Sequence, residues 1–186
     1  MVALVFAILT AAPVQLSLAP GSKLVIEGDS SMHAWKCEAI KFDGAGEATS
    51  IDAAGSLSAF ELGIPVGELR CGNDTMDGKL REALKADKFA RIDFEFISAS
   101  PNGPAKLNVI GNLSIAGVEK KVAAVVTVAR GAGNIWIATG TVPLKMSAFG
   151  VDPPSAFLGM MKTADAVTIR FELKIVAQAP QAHAAN

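Results

Sequence analysis

The sequence predicts an all-β fold: eight or nine antiparallel strands and one short α-helix, closed into a barrel or layered as a sandwich. Three observations carry this reading. Apolar and polar residues alternate along most of the chain, the pattern of strands wetted on one side only. A single stretch, Met76 to Leu84, places its apolar residues at helical spacing instead. Clusters of Gly, Pro and Asn punctuate the alternating segments.

The clearest element is a hairpin over residues 106–129. Leu107, Val109, Gly111, Leu113 and Ile115 share one face of its first arm. Lys106, Asn108, Asn112 and Ser114 share the other, broken only by Ile110. Ala116-Gly117-Val118-Glu119 supplies the turn, with Gly117 free to take positive φ. Val122, Ala124, Val126 and Val128 line the return arm. One hairpin cannot bury such a face alone, so the rest of the chain must cover it.

From the N-terminus, residues 2–19 carry no charge and are mostly apolar. A secretory leader and a membrane anchor both fit. The stretch is short for a span and Pro13 and Gln15 interrupt it, which favours a leader over residues 1–21, cut before Ser22. No Lys or Arg precedes the apolar run, a departure from the usual leader. Lys23 to Gly28 reads as a first strand and His33 to Phe42 as a second, whose phase slips at Ile40 and Phe42 as a bulge would make it. Residues 42–55, rich in Gly and Ala, suit a weak edge strand. Phe60, Leu62, Ile64 and Val66 then alternate, with Pro65 marking an edge or a bulge.

The helix follows. Asn73, Asp74 and Thr75 offer N-cap oxygens, and Met76, Leu80, Ala83 and Leu84 form a stripe to pack on one end of the β structure. Asp77 and Arg81 are spaced as an i, i+4 pair on the wet side. Strands resume with Ile92, Phe94 and Phe96 inward. Pro101-Asn102-Gly103-Pro104 turns into the hairpin, and Gly131-Ala132-Gly133-Asn134 turns into a long strand ending near Ser147. A loop opens at Pro153 and Pro154. The last strand carries Val167, Ile169, Phe171, Leu173 and Ile175 on one face, and residues 178–186 read as a frayed tail.

Composition narrows the function. The chain has 186 residues, enough for one domain, and 51% are hydrophobic against 19% charged. A net charge of −1 without a basic run argues against nucleic acid. An outer-membrane pore wants aromatic girdles, whereas aromatics make up 6% here and Tyr is absent. In an oxidising compartment Cys37 and Cys71 pair naturally, closing a loop of about 34 residues and contributing roughly 3–4 kcal/mol; two buried free thiols are the alternative.

Catalytic signals are missing. His33 is the one histidine inside the domain, since His183 lies in the tail. His33 and Cys37 would stand roughly 13 Å apart on a strand, too far to share a metal ion. Ser30 and Ser31 precede His33 without an acid placed to complete a triad. No phosphate loop or dinucleotide motif occurs. The chain reads as a non-enzyme with no metal and no cofactor.

Several segments taken in order resemble the YceI-like, polyisoprenoid-binding family. They are Gly28-Asp29-Ser30-Ser31-Met32-His33-Ala34-Trp35, Met76-Asp77, Leu84-Lys85-Ala86, Ile92-Asp93-Phe94, the hairpin run Gly111 to Val118 with Lys121-Val122, Phe149-Gly150-Val151-Asp152-Pro153-Pro154, and Asp165-Ala166-Val167. Ala90 stands after Phe89 where the family often has an aromatic-proline pair, and cysteines like Cys37 and Cys71 belong to part of the family. The resemblance implies a lipocalin-like antiparallel β-barrel of about eight strands over residues 22–177. It also implies export to the bacterial periplasm, or secretion, and an isoprenoid lipid, either a polyprenyl phosphate or a quinone, held in the lumen. No stable membrane insertion is expected once the leader is removed, and the oligomeric state stays open, a homodimer included.

Inward phase picks Trp35, Phe60, Phe94, Phe96, Met146 and Phe171 as lumen contacts. Phe157, Leu158, Met160 and Met161 would form an adaptable entrance. Small inward residues, Gly111, Ala124, Ala138 and Gly140, either leave room for a chain or fill the taper of an empty barrel. Two other classes of function compete with lipid carriage: an envelope interaction module with a sealed core, and a thiol-based redox enzyme using Cys37 and Cys71.

Overall fold

Alternating segments with one greasy face can hide it without leaving an edge only by closing on themselves. The computed structural model of the chain describes residues 12–50, 54–156 and 161–178, and its strands form such a ring. The first three staves are broken strands. β1 (Val14–Leu18) and β2 (Lys23–Ser30) lie end to end along one edge of the last strand, β12 (Met161–Gln178). β3 (Trp35–Ala39) and β4 (Asp43–Ala48) return beside them, and β5 (Leu57–Pro65) and β6 (Leu69–Arg70) make the third stave. The helix α1 (Asp74–Ala83) follows. β7 (Arg91–Pro101), β8 (Lys106–Ile115), β9 (Val118–Arg130) and β10 (Ile135–Lys145) then run up and down to β12. β12 pairs with β1 and closes an eight-stave antiparallel barrel. A two-residue strand, β11 (Ser155–Ala156), pairs with the start of β12.

Each break has a chemical cause. Between β1 and β2, Pro20 has no N–H to give and Gly21 takes φ 83°. The kink is pinned to β12: Ser22 Oγ accepts from Lys174 N at 3.0 Å and donates to Ala19 O at 2.9 Å. Pro65 ends β5 and opens the 3₁₀ turn Val66–Glu68, which lets the stave resume as β6. The slip at Ile40 and Phe42 is the gap between β3 and β4, where Ile40 points to solvent. β4 is no edge strand, because β1 and β5 flank it. At the turn from β8 to β9, Ala116 and Gly117 both take positive φ, 50° and 80°, which makes the tight primed turn that matches strand twist and sets Ile115 opposite Val118.

β1 falls inside the stretch that the sequence analysis gives to a leader. Residues 1–11 of that stretch, and 179–186 of the expected tail, lie outside the described residues. Val14, Leu16 and Leu18 alternate with Gln15 and Ser17, and Val14 and Leu16 are buried against Ala48 and Ala177.

The two ends of the barrel are filled differently. Toward β1, Phe60, Val126, Ala138 and Leu173 pack with Phe96 and Phe171. A Cβ on Gly140 there would come within 2.6 Å of the Phe171 ring, and nearer the middle one on Gly111 would come within 2.3 Å of Phe94, so these two glycines house protein rings. Toward β2, β3 and β6 the core is aliphatic, with Leu24, Ile64, Leu69, Ile92 and Leu113 joined by Leu84, Phe149 and Val151 from outside the ring.

A protein beginning at Pro13 should unfold cooperatively, with β1 in place. One beginning at Ser22 loses the burial of Val14 and Leu16, about 3 kcal/mol or more, and exposes the edges of β4 and β12. Guanidinium unfolding should show a clearly lower midpoint for the shorter form. Equal midpoints would remove β1 from the barrel.

Candidate ligand-binding cavity

At the aliphatic end the barrel keeps a cavity of about 240 Å³. Ile26, Ile92, Ile115, Leu144, Val167 and Ile169 form its strand wall. α1 lies across it with Met76, Leu80, Ala83 and Leu84, the stripe that helical spacing had marked out. Met146, Phe149, Val151 and Pro154 close the remaining side.

Three fastenings hold that roof. The first is the Cys37–Cys71 disulfide, Sγ–Sγ 1.99 Å, which joins β3 to the segment entering α1 and itself lines the cavity. The second is the helix start. Asn73 Oδ1 caps it by accepting from Met76 N at 3.0 Å. Asp77 is only 4% exposed and accepts from Cys71 N at 2.6 Å, while Arg70 Nε stands 3.7 Å from its other oxygen. The expected wet-side pairing of Asp77 with Arg81 therefore gives way to an inward one. A buried backbone N–H needs an acceptor, and helix phase turns Asp77 toward it. The third is the helix end. Lys85 takes φ 54° with Lys85 N donating to Glu82 O and Ala86 N to Arg81 O, a Schellman-type stop. Lys85 Nζ then reaches Gly150 O at 3.2 Å and ties α1 to the opposite wall.

That wall has its own anchor. Asp165 accepts from Ser147 N at 2.7 Å and from Ser147 Oγ at 2.6 Å. These bonds, helped by the charge of Lys145, hold the Asp165 carboxyl below its ordinary value of 3.8. At the mouth, Ser30 Oγ accepts from Met32 N and His33 N and donates to His33 O. His33 Nδ1 donates to Ala34 O at 2.9 Å. His33 sits in this turn, and β3 begins after it at Trp35.

Of the candidate contacts, Trp35 and Met146 line the cavity. The Trp35 ring rests on Gly28 and its Nε1 donates to Asp29 O at 3.2 Å. Phe60, Phe96 and Phe171 sit in the filled half, and Phe94 packs on Gly111 between the halves. None of these four lines the cavity. Phe157, Leu158 and Met160 lie outside the described residues, and of Met161 only the backbone at the start of β12 is described. Among the described residues no group of His, Cys, Asp and Glu could hold a metal ion, no helix is long and apolar enough to cross a membrane, and no cysteine is free.

The model for the YceI-like domain matches residues 25–175. The chain belongs to the YceI-like family. Solved structures agree on the fold. Burkholderia cenocepacia BcnA superposes with a TM-score of 0.70 at 24% identity, covering 82% of this chain and 95% of that one. A polyisoprenoid-binding domain from Saccharophagus degradans, implicated in plant cell wall breakdown, gives 0.67 at 16% identity over 87% of this chain and 98% of that one. The YceI protein of Campylobacter jejuni gives 0.62 at 16% identity, with 77% and 85% covered. No curated protein sequence matches the chain. Within the YceI-like frame, sequence reasoning missed Ile26, Leu80 and Ile169 as cavity residues, although their inward or helical phase was readable, and Val151, which lies outside any strand or helix and carried no such signal.

Two tests follow from the fastenings. Reducing the disulfide, or replacing both cysteines by Ala, should cost about 3–4 kcal/mol on the chain-entropy model. Amide exchange should rise first in α1, and exchange rising uniformly would show that the bridge does not hold the roof in particular. Asp165 gives a pH dependence of known sign. Its carboxyl is depressed in the folded state, so its contribution is full above 3.8 and is lost as pH falls through the folded value. Asp165→Asn should flatten this acid limb of the stability curve, and an unchanged limb would contradict the assignment.

Proposed function

We propose that the chain binds isoprenoid lipid without catalysis, holding the hydrocarbon in the cavity beneath α1 with the head group at its mouth, and that it does so in the bacterial periplasm. The single observation that carries the reading is an apolar hollow at one end of the barrel, beneath α1. A hollow lined by Ile26, Leu80, Ile92, Val167 and Ile169 gains nothing from water, whereas branched hydrocarbon restores the missing contacts. Membership of the YceI-like family, and the likeness to a domain described as polyisoprenoid-binding, support the same ligand class. The disulfide suits an oxidising compartment. It also ties up both thiols that a redox enzyme would need.

At about 0.8 kcal/mol per methylene, burying one five-carbon isoprene unit yields on the order of 4 kcal/mol before ordering costs. Trp35 and Met146 are the proposed contacts that flank the chain.

Organic extraction of purified protein followed by mass spectrometry should return an isoprenoid species. Ala83→Trp projects an indole from α1 into the hollow and should remove that species while thermal unfolding stays cooperative. Retention of the same lipid by a folded Ala83→Trp protein would place the ligand elsewhere, and an empty wild-type protein would end the carrier reading.

A further inference from the structure

The staves of the ring are not paired along their whole length. β9 and β10 pair from Arg130 with Trp136 to Val126 with Gly140; beyond that, residues 118–125 pair with β8 alone and residues 141–145 with β12 alone. β5 and β7 pair from Pro65 with Arg91 to Glu61 with Glu95. From there β5 follows β4 alone through Leu57, and β7 follows β8 alone through Pro101. Along an antiparallel strand every second residue turns both its N–H and its C=O to the same side, so such a stretch leaves main-chain donors and acceptors without a ladder. Among the described residues no other backbone bond reaches residues 96–101 of β7 from the side of β5.

The two stretches are built differently. β9 and β10 carry Glu119, Lys120, Lys121, Pro143 and Lys145 there, the charges and proline that keep a strand edge from pairing with a foreign chain. Residues 57–60 and 96–101 read Leu-Ser-Ala-Phe and Phe-Ile-Ser-Ala-Ser-Pro, without a charge, and their proline stands at the far end. Ser58, Ala59, Ser98 and Ser100 are exposed, and Ile97, in the bulge between Phe96 and Ser98, is 44% exposed. At the fork where the strands part, Glu61 stands directly opposite Glu95, a position in which like charges repel. Both border a groove of about 320 Å³ on the outer wall, together with Asp43, Arg91 and Asp93. Arg91 is already engaged: its Nη2 donates to Asp43 at 3.1 Å and its Nε to Asp93 at 3.2 Å. Glu61 and Glu95 have no ion pair among the described residues.

A strand added to β7 satisfies its main chain, and a cation at the fork relieves the repulsion. We propose that this edge docks an extended peptide segment of another protein, pairing antiparallel with residues 97–101 of β7. β7 runs from the fork toward Pro101, so an antiparallel partner runs back toward the fork. Its complementary sequence is uncharged along the edge and ends in a Lys or Arg that meets Glu61 and Glu95. Phe60 and Phe96 lie behind the edge in the filled half of the barrel, so docking there leaves the cavity beneath α1 untouched and does not rest on lipid binding.

The probes are a labelled peptide Val-Thr-Val-Thr-Val-Lys and its counterpart ending in Glu, titrated against the full protein by fluorescence anisotropy at low salt. The Lys peptide should bind about ten-fold or more tighter, because the pair of carboxylates attracts one end group and repels the other. The ratio should fall toward one in the Glu61→Gln, Glu95→Gln protein, with circular dichroism melts checking that it is folded. Methylating every second peptide nitrogen should abolish binding in one of its two phases. Amide resonances of residues 57–61 and 95–101 should shift. Binding by neither peptide, equal binding by both, or no loss in either methylated phase overturns the proposal. Shifts confined to α1 or to β9 and β10 overturn it too. Self-association of the protein through β7 that excludes the peptide would make a second copy the occupant and overturn the partner proposed.

Discussion

A closed eight-stave ring fixes an interior volume that its side chains must fill or leave empty, and everything distinctive about this protein follows from how unevenly they do so. Toward β1, the Phe171 ring answers Gly140 on the neighbouring stave, and between the halves the Phe94 ring lies over Gly111. A side chain larger than glycine at these positions would collide with the ring. Toward β2 and β3 the inward residues are Ile and Leu, and the barrel mouth is covered by a helix rather than by more side chains from the ring. A helix laid across an open end meets the wall along one stripe only. The hollow beneath α1 is the space that this contact leaves.

Holding a helix over a hollow is mechanically awkward, because the contacts that would normally fix it are the ones missing. The chain answers with bonds around the perimeter. The disulfide and Asp77 hold the start of α1, Lys85 holds its end to Gly150, and Asp165 holds Ser147 on the facing wall. The segments on which the family resemblance rests converge here. Gly28 to Trp35 form the mouth turn, Met76-Asp77 and Leu84-Lys85 the two ends of the roof, and Phe149 to Pro154 with Asp165 the wall.

Most of the ring could be read from the sequence because strand phase is local. The hairpin of β8 and β9, the alternation of β12 and the helical stripe of Met76, Leu80, Ala83 and Leu84 each announce themselves within a few residues. Two things were hidden. β1 alternates at Val14, Leu16 and Leu18, yet it continues an uncharged apolar run, and a leader hides a strand of the same composition. Asp77 looked solvated, because polarity alone does not say that a backbone N–H at Cys71 waits beside it. The site was less legible than the fold. Alternation separates inside from outside but carries no information on height along the barrel axis. Trp35 and Phe171 share an inward phase, yet one borders the cavity and the other lies in the filled half. Height is set by register across all eight staves, which no single segment encodes.

Lipid binding as proposed for this barrel depends on where along its axis a ligand sits. An isoprenyl phosphate carrying a photoreactive diazirine on its chain, crosslinked to the folded protein and mapped by peptide mass spectrometry, addresses this directly. Label should fall on α1, on Met146 to Val151 and on the wall of β2 and β12 near Ile26 and Ile169. Label concentrated on Phe60, Phe96 and Phe171, or spread over the outer faces of the strands, would contradict it.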